Sequence, residues 1–286
     1  MNIYDETKFI LKKYGITANK SLGQNFLIND EVIEQIVSGA EVNKEDLIIE
    51  IGPGLGTLTK ELLEKAGKVI AVELDKRMIE ILTDRFCLYK NFELINEDIL
   101  KVELSKLIDD NLNQLDLGLN KVKIVANLPY YITTPIIMKL LEERLNIDSI
   151  TVMIQKEVAD RLIETPGGKN TGAITYSVYY YAEANKILNV MPNSFIPEPA
   201  VESEVIKLKI RHTNIVDVKN EKLMFKIIKY AFMQRRKTLV NALEKTELFK
   251  EKTDIINLLN KLGIDEKIRG EKLTLEQYAK IANELV

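Results

Sequence analysis

Short runs of β-branched and aliphatic residues alternate with helix-spaced apolar residues from about residue 46 onward. The runs that indicate parallel strands are DLIIEIG, KVIAVELD, FELINEDI, KVKIVANLPY and SITVMIQK. Because each parallel crossover needs a connection that returns the chain, usually a helix, this alternation predicts a parallel sheet flanked by helices. Two later runs, KILNVM and SEVIKLKI, are separated by a Pro-rich loop and predict an antiparallel hairpin that closes the sheet.

The pattern changes after Arg211, where the strand signals stop. Residues 221–286 carry apolar residues at helical spacing and predict a small helical domain. We therefore predict an α/β domain over residues 1–212 and an all-helical domain over residues 213–286. The helical part holds 15 basic and 11 acidic residues in a chain whose net charge is −3. A polyanionic partner is therefore expected to bind the helical domain.

The composition limits which covalent links, metal sites and catalytic groups the chain can contain. The single cysteine, Cys87, excludes an internal disulfide and a multi-cysteine zinc site, and the single histidine, His212, leaves little room for imidazole catalysis. We interpret both as structural or incidental and predict no metal. Since no apolar run approaches the roughly 18 residues of a membrane span, and the N-terminal stretch lacks the apolar core of a secretory signal, we expect a cytoplasmic protein.

A glycine-rich segment, EIGPGLGTLT, lies between the first predicted strand and its helix. Gly52, Gly54 and Gly56 allow the backbone to turn tightly and to approach a ligand closely. A dinucleotide-binding fingerprint would require its third glycine at position 57, which is Thr57, so the nicotinamide interpretation weakens.

Acidic residues follow the next two predicted strands. Glu73 ends the second strand and Asp98 follows the third. Open α/β sheets bind ligands at the carboxyl ends of their strands, and a carboxylate after the second strand commonly binds ribose hydroxyls. Asp98 taken alone is also consistent with helix capping.

The segment from Glu50 to Gly56 resembles the E-x-G-x-G-x-G loop of S-adenosylmethionine-dependent methyltransferases. The resemblance implies a Rossmann-like methyltransferase sheet with a smaller C-terminal all-helical domain. It also implies that the glycine loop surrounds the methionine part of the cofactor, that Glu73 holds the ribose and that Asp98 contacts the adenine.

The segment NLPYY, which begins at Asn127, resembles the [ND]-P-P-Y motif of enzymes that methylate amino groups on planar rings. If the Asn127 side-chain oxygen and the Leu128 carbonyl accept hydrogen bonds from an adenine amine, its lone pair becomes available for in-line attack on the sulfonium methyl. Pro129 would hold that carbonyl, and Tyr130 would stack on the base, a contact typically worth about 1–3 kcal/mol. Tyr131 is equally consistent with simple packing.

Four further segments, KSLGQNFLIND, MIQKEVADRL, FIPEPAVESEV and FMQRRKTLVNAL, extend the resemblance over nearly the whole chain. Together they are similar to the small-subunit ribosomal RNA adenine dimethyltransferases, the KsgA/RsmA family. The resemblance implies N6,N6-dimethylation of two adjacent adenines in a hairpin loop near the 3′ end of small-subunit ribosomal RNA. We expect the substrate to be a pre-ribosomal particle and the enzyme to be a monomer.

The same resemblance implies roles for residues outside the strand ends. Asn25 and Leu27 would complete a cofactor site whose other members are Gly52, Glu73, Asp98 and Asn127. Phe195 would offer a second ring to the target adenine. One segment departs from the family pattern, because TGAITYSV at residues 171–178 stands where YG-x-LSV is expected. RNA handling near that segment is therefore in doubt.

The segment FMQRRKTLVNAL carries a helical apolar stripe that Arg235 and Arg236 interrupt. The apolar positions are Ile228, Phe232, Leu239 and Leu243. One interpretation is a helix break with solvated charges. The other is that Arg235, Arg236 and Lys237 bind RNA phosphates.

Two alternatives compete with the small-subunit interpretation. Large-subunit adenine methyltransferases of the macrolide-resistance type share the cofactor loop and a similar Asn-hydrophobic-Pro-Tyr motif, but Leu128 and the FIPEPAVESEV and QRRKTL segments fit the small-subunit family better. A non-catalytic ribosome-assembly factor is disfavoured because a pure binding protein would not need Asn127, Pro129 and Tyr130 together.

Overall fold

The computed structural model describes residues 2–113 and 118–286. The strands are β1 (Phe26–Leu27), β2 (Asp46–Ile51), β3 (Lys68–Glu73), β4 (Phe92–Asn96), β5 (Lys121–Asn127), β6 (Ser149–Gln155), β7 (Ala182–Val190), β8 (Phe195–Ile196) and β9 (Ser203–Ile210). The helices are α1 (Ile3–Lys13), α2 (Asp30–Gly39), α3 (Thr57–Lys65), α4 (Lys76–Phe86), α5 (Leu104–Leu112), α6 (Thr133–Glu142), α7 (Lys156–Ile163), α8 (Ala173–Tyr181), α9 (Glu221–Met233), α10 (Leu239–Leu243), α11 (Lys252–Lys261) and α12 (Leu275–Asn283).

Seven strands form one sheet in the order β4-β3-β2-β5-β6-β9-β7. The pairs from β4 to β6 are parallel, and β9 runs antiparallel to β6. The predicted parallel sheet with flanking helices is confirmed. KILNVM and SEVIKLKI lie in the neighbouring strands β7 and β9 at one edge. Helix α5, between β4 and β5, was not predicted.

The chain direction places a ligand-binding crevice between β2 and β5. From β2 the chain moves to β3 and β4 on one side of the sheet, and then returns to β5 and β6 on the other side. Such a reversal leaves an opening at the carboxyl ends of the two central strands, where open α/β sheets bind their ligands. The glycine loop follows β2 and the NLPYY segment follows β5, so both lie at this opening.

The contacts divide the chain into two compact units. The first contains the residues up to Ala159 and Ala184–Ile210, and the second contains Asp160–Glu183 and Arg211–Val286. The predicted boundary at residue 212 therefore lies close to one of the divisions, whereas the sequence did not place residues 160–183 with the helices. The aromatic side chains of α8 explain their membership, because they pack within the second unit.

The segment TGAITYSV begins α8 and supplies part of this aromatic core. Tyr176 is fully buried, and its ring lies edge-on to the Tyr278 ring with 5.1 Å between the centroids. Its hydroxyl donates a hydrogen bond to the Leu273 carbonyl over 2.6 Å. The segment that departs from the family pattern therefore contributes a packed side chain to the second unit.

The segment FMQRRKTLVNAL contains a helix break. Helix α9 ends at Met233, and α10 begins at Leu239 with the Thr238 side chain as its N-cap. Arg235, Arg236 and Lys237 lie in the exposed turn between the helices. The helix-break interpretation is thus correct for the backbone, and the turn leaves three cationic side chains on the surface.

None of the helices among the described residues is long and apolar enough to span a lipid bilayer. In the same part of the chain, the His, Cys, Asp and Glu side chains form no group that could hold a metal ion.

Candidate active site

A concave pocket lies in the first unit at the carboxyl ends of β2, β3, β4 and β5. Its wall includes residues 22–27, 50–55, 72–74, 97–99 and 127–132. The strand ends bring together the glycine loop, Glu73, Asp98 and Asn127, as predicted from their positions after successive strands. The N-terminal segment with Asn25 and Leu27 forms another part of the same wall.

The three glycines of the loop have positive φ angles, but their surroundings differ. Gly52 has φ +66°, and a β-carbon there would have no heavy atom within 4 Å. At Gly56, with φ +80°, a β-carbon would lie 2.5 Å from the Phe86 ring. Gly52 therefore keeps open space beside the pocket, whereas Gly56 allows the loop to pack on α4.

Glu73 links the end of β3 to the glycine loop. Its carboxylate accepts the Gly54 N–H over 3.1 Å and the Asp75 N–H over 2.8 Å. Burial raises the pKa of Glu73, and the two backbone N–H groups oppose that rise. The carboxylate is therefore fixed in place by the backbone and retains lone pairs that can accept hydrogen bonds from ribose hydroxyls.

Glu50 is a buried acid that sequence reasoning treated only as the first letter of the loop motif. Its side chain is 1% exposed, and its Oε2 atom has no hydrogen-bond partner among the described residues. Burial raises the pKa of Glu50 to about 8. The carboxyl group is therefore mostly protonated at neutral pH. A glutamate inside the otherwise apolar run DLIIEI was the available sequence signal.

We predict that Glu50→Gln changes how stability depends on pH. Between the ordinary carboxyl pKa of 4.5 and the folded value of about 8, the folded state keeps a proton that the unfolded state releases. The parent protein should therefore lose stability as pH rises through this window, by about 1.4 kcal/mol for each pKa unit of difference at most. Glutamine cannot titrate. The unfolding temperature of the parent should therefore fall relative to that of the variant as pH rises to about 8, and the difference between the two should stay constant above pH 8. Parallel profiles across the whole window would show that Glu50 is not a protonated buried acid.

Asp98 lies in the pocket wall and also closes a turn. Its Oδ1 atom accepts the Leu100 N–H over 3.0 Å. Asp98 therefore lies in the pocket wall as predicted, whereas its hydrogen bond closes a turn and does not cap a helix. Leu74 and Ile99 also line the pocket near these strand ends and provide apolar surface.

The Asn127 side chain is held by the N-terminal segment. Its Nδ2 atom donates a hydrogen bond to the Asn25 carbonyl over 3.3 Å. No donor among the described residues reaches the Oδ1 atom. The amide nitrogen is thus engaged and the amide oxygen remains available as an acceptor beside the pocket.

The Leu128 carbonyl is a second available acceptor. The Leu128 N–H extends the β5–β6 ladder by donating to the Met153 carbonyl over 3.1 Å, while no N–H or O–H of the described residues donates to the Leu128 carbonyl. The next carbonyl, of Pro129, accepts from the Ile132 N–H over 3.2 Å and from the Thr133 hydroxyl over 3.1 Å. Two neighbouring residues, Asn127 and Leu128, therefore each present one open acceptor.

The aromatic residues predicted for the site are placed differently from one another. Tyr130 is half-buried and Tyr131 is 57% exposed, and both line the pocket. Phe195 is 1% exposed, pairs with Leu27 between β8 and β1, and belongs to the apolar core. The structure does not bring Phe195 to the pocket wall. The sequence could not distinguish an exposed ring from a buried one in this Pro-rich segment.

Long-range polar contacts that the sequence did not reveal support the pocket. The Gln24 side-chain amide donates to the Asp75 carboxylate over 2.8 Å and so attaches the N-terminal segment to the loop after β3. Arg85 on α4 donates to the Leu55 carbonyl in the glycine loop and pairs with Glu6 on α1. Both contacts join residues far apart in sequence.

The charge of the pocket indicates its ligand. Its wall contains the carboxyl groups of Glu73, Glu97 and Asp98 beside the mostly protonated Glu50, and none of its described lining residues is Lys, Arg or His. A pyrophosphate would find no cation there, whereas a sulfonium, an ammonium group and ribose hydroxyls are complementary to acidic groups. The open space at Gly52 and the orphaned Oε2 atom of Glu50 also suit a polar ligand. The residues present therefore fit S-adenosylmethionine better than a dinucleotide.

Similarity to known sequences covers nearly the whole chain. The sequence model of the ribosomal RNA adenine dimethylase family matches residues 15–286. The ribosomal RNA small subunit methyltransferase A of Alkaliphilus oremlandii (strain OhILAs) is 50% identical over 280 residues, covering 98% of this chain and 96% of the relative. The protein of the same name from Clostridioides difficile (strain 630) is 46% identical over 283 residues, covering 99% and 96%.

Solved structures show related folds. A dimethyladenosine transferase from Plasmodium falciparum matches with a TM-score of 0.74 and 27% identity, covering 90% of this chain and 95% of that chain. The 23S rRNA methyltransferase ErmE matches with a TM-score of 0.66 and 22% identity, covering 91% and 99%. At that identity the second similarity shows the fold alone.

Proposed function

The chain belongs to the ribosomal RNA adenine dimethylase family, and we propose how its pocket performs that reaction on small-subunit ribosomal RNA. The enzyme transfers methyl groups from S-adenosylmethionine to the exocyclic N6 amines of adenines. The observation that carries the proposed mechanism is the pair of open acceptors, the Asn127 Oδ1 atom and the Leu128 carbonyl, beside an acidic pocket at the carboxyl end of β5.

The two acceptors match the two N–H groups of an adenine amine. The lone pair of that amine is delocalised into the ring. Hydrogen bonds donated by both N–H groups favour sp³ character at the nitrogen, so that the lone pair is less conjugated with the ring and can attack the methyl group. The same bonds strengthen as the nitrogen becomes positively charged, which stabilises the transition state more than the bound substrate. After one methylation the amine keeps one N–H, so one acceptor suffices to hold it for the second transfer.

S-adenosylmethionine supplies the electrophilic methyl group when it is bound. We propose that residues of the chain position this cofactor around the glycine loop, with Gly52 and Gly54 leaving room for it, Glu73 accepting from the ribose hydroxyls and Asp98 lying near the adenine. Asn25 and Leu27 close the other side of the pocket. Tyr130 stacks on the target base, and the proton released from the amine passes to water.

The proposed RNA substrate is small-subunit ribosomal RNA, at two adjacent adenines in a hairpin loop near its 3′ end. The relatives with 46–50% identity carry small-subunit names, whereas the 23S rRNA methyltransferase is 22% identical. The large-subunit alternative is therefore not favoured. The test is competition between small- and large-subunit RNA, each from cells that lack the modification, for labelled methyl groups. Labelling of the small-subunit RNA is expected, and preferential labelling of the large-subunit RNA would overturn the assignment.

We propose that the exposed turn between α9 and α10 binds RNA phosphates. Arg235 already pairs with Glu271 over 2.6 Å, while no acidic group among the described residues pairs with Arg236 or Lys237. The latter two side chains therefore carry most of the proposed contact. In this turn the helix break and the phosphate-binding role are compatible, because the break exposes the cations.

Replacing Arg235, Arg236 and Lys237 together by Ala should weaken RNA binding and flatten its salt dependence. Each lost phosphate contact should reduce the slope of log affinity against log salt by roughly 0.7–0.9, and at least the two unpaired cations should contribute. The measurement is RNA affinity across a salt series, with cofactor affinity unchanged.

A matched control removes the same charge elsewhere, through Ala at Lys60, Lys65 and Lys90, which are exposed on the first unit. If the turn variant and this control keep the same slope as the parent, the turn is not part of the RNA site.

We further propose that the enzyme acts as a cytoplasmic monomer on a pre-ribosomal particle. The small number of free cations in the turn favours a substrate whose remaining contacts come from an assembled particle. Faster methylation of particles than of protein-free RNA is the expected result, and equal rates would remove the particle from the proposal.

A further inference from the structure

Strand β9 brings a serine to the pocket edge because it runs against the other strands. The parallel strands β5 and β6 end at that edge, whereas antiparallel β9 begins there. Its first residue, Ser203, lies opposite Gln155, the last residue of β6. The direction of a single strand therefore places the beginning of β9 close to the segment that follows β5.

Ser203 makes a direct contact with the proposed stacking residue. The Ser203 side chain is fully buried, and its Oγ atom lies 2.6 Å from the Tyr130 hydroxyl. Among the described residues neither hydroxyl has another hydrogen-bond partner. Because a buried hydroxyl without a partner is costly, the contact fixes the position of both groups.

The contact is at the end of the tyrosine ring that is farthest from the backbone. At the other end, Pro129 precedes Tyr130 and has a fixed φ angle. A hydrogen bond to the phenol oxygen then restricts rotation of the side chain, since rotation about the Cα–Cβ bond would carry the oxygen away from Ser203. The ring is thus held at both ends before any base arrives.

We propose that Ser203 is a positioning residue for the target base, acting through Tyr130. The inference rests on the proposed stacking role of Tyr130. A ring already held in its working orientation loses less conformational freedom when a base stacks on it, so base capture is more favourable. Ser203 itself does not need to touch the RNA or the cofactor.

A purely structural role makes a different prediction from a positioning role. If Ser203 only satisfies a buried hydroxyl, its loss should lower stability and leave methyl transfer by the remaining folded protein unchanged. If it positions Tyr130, methyl transfer should fall while cofactor affinity stays unchanged. Ser203→Ala should also cause no further loss of methyl transfer when Tyr130→Phe has already removed the tyrosine hydroxyl.

The experiment is a double-mutant cycle with Ser203→Ala, Tyr130→Phe and the double variant. Single-turnover methylation, RNA affinity and cofactor affinity are measured on each folded variant. Each single variant should lower the transfer efficiency on RNA by about 3- to 10-fold, as expected for loss of one hydrogen bond, and the double variant should be no worse. Additive losses, or unchanged transfer in either single variant, would overturn the proposal.

Ser149→Ala is the matched control. Ser149 is also a buried serine that begins a strand of the same sheet, but it lies at the opposite end of β6, and its hydroxyl has no partner among the described residues. It should leave methyl transfer unchanged. If Ser203→Ala does not fold, Tyr130→Phe removes the same hydrogen bond and replaces it as the test.

Tyr130→Ala separates this inference from the proposed function. If Tyr130→Ala impairs transfer and the cycle shows no coupling, only the role of Ser203 fails. If Tyr130→Ala transfers methyl groups normally, the stacking role on which the inference depends fails as well.

Discussion

Asn127→Ala should slow methyl transfer by roughly 10² to 10³ at saturating cofactor, the range found when one preorganised polar group is removed from other active sites. The reason is the arrangement at the end of β5, where the Asn127 nitrogen is held by the Asn25 carbonyl and the oxygen is left for the amine. The hydrogen bond from the adenine amine to the Asn127 oxygen strengthens as the amine becomes cationic. Its removal should therefore destabilise the transition state more than the bound substrate. The measurement is the single-turnover rate of methylation.

Cofactor titration of the same variant should show a change in affinity much smaller than the change in the transfer rate. Asn189→Ala, an exposed position on β7, is the control and should transfer methyl groups normally. A near-normal rate for Asn127→Ala would contradict the role of the open amide oxygen.

Gly52→Ala should greatly weaken cofactor binding while the protein remains folded. The added methyl group would enter the open space beside the pocket, where no heavy atom other than those of Gly52 and its chain neighbours lies within 4 Å, and would compete with the ligand for this space. The positive φ angle of +66° adds backbone strain, of roughly 1–2 kcal/mol for a non-glycine residue. Calorimetric titration with S-adenosylmethionine and thermal unfolding measure the two effects separately.

The strain has a matched control in Gly15→Ala. Gly15 has φ +61° and also has no heavy atom within 4 Å of its β-carbon position, but it does not line the pocket. The Gly15→Ala variant should lose about as much stability as Gly52→Ala, and its cofactor affinity should equal that of the parent. Equal affinities for Gly52→Ala and Gly15→Ala would place the cofactor elsewhere.

Gly56→Ala, in the same loop, should affect folding stability more than cofactor affinity, which is the opposite of the effect expected for Gly52→Ala. Its methyl group would lie 2.5 Å from the Phe86 ring in the core, so the main loss should be in folding stability. The loop therefore contains one glycine that makes room for the ligand and another that permits packing, although both look alike in the sequence.

The sequence predicted the parts of the site that depend on strand order. Gly52, Glu73, Asp98 and Asn127 each follow or end a recognisable strand, and parallel strands present such positions at one edge of a sheet. The pattern of apolar residues is sufficient to locate these strands. Their convergence at the pocket is a consequence of topology that needs no knowledge of side-chain packing.

Contacts between distant segments could not be predicted in this way. The Tyr130–Ser203 and Gln24–Asp75 pairs join residues from separate elements, and no periodicity in the sequence marks either pair. Phe195 shows the converse problem, because an aromatic residue in a loop motif can turn inward to the core. Burial depends on the complete packing arrangement, which local patterns do not specify.

The two compact units differ from the predicted domain division for a similar reason. The change from strand to helix patterns near residue 211 is visible in the sequence, whereas the membership of residues 160–183 depends on which side chains the α8 aromatics contact. Likewise, the apolar stripe over the turn at Arg235 continues on both sides of the break, so spacing alone did not separate α9 from α10.

The most direct test of the account is mass spectrometry of RNA extracted from small-subunit particles after these particles are incubated with the purified protein and S-adenosylmethionine. The RNA should come from cells that lack the modification, and parallel reactions should contain the parent, Asn127→Ala or no protein. The account predicts N6,N6-dimethyladenosine at two adjacent adenines near the 3′ end with the parent, and little or none with the variant. Absence of dimethyladenosine with the folded parent, or equal amounts with Asn127→Ala, would contradict it.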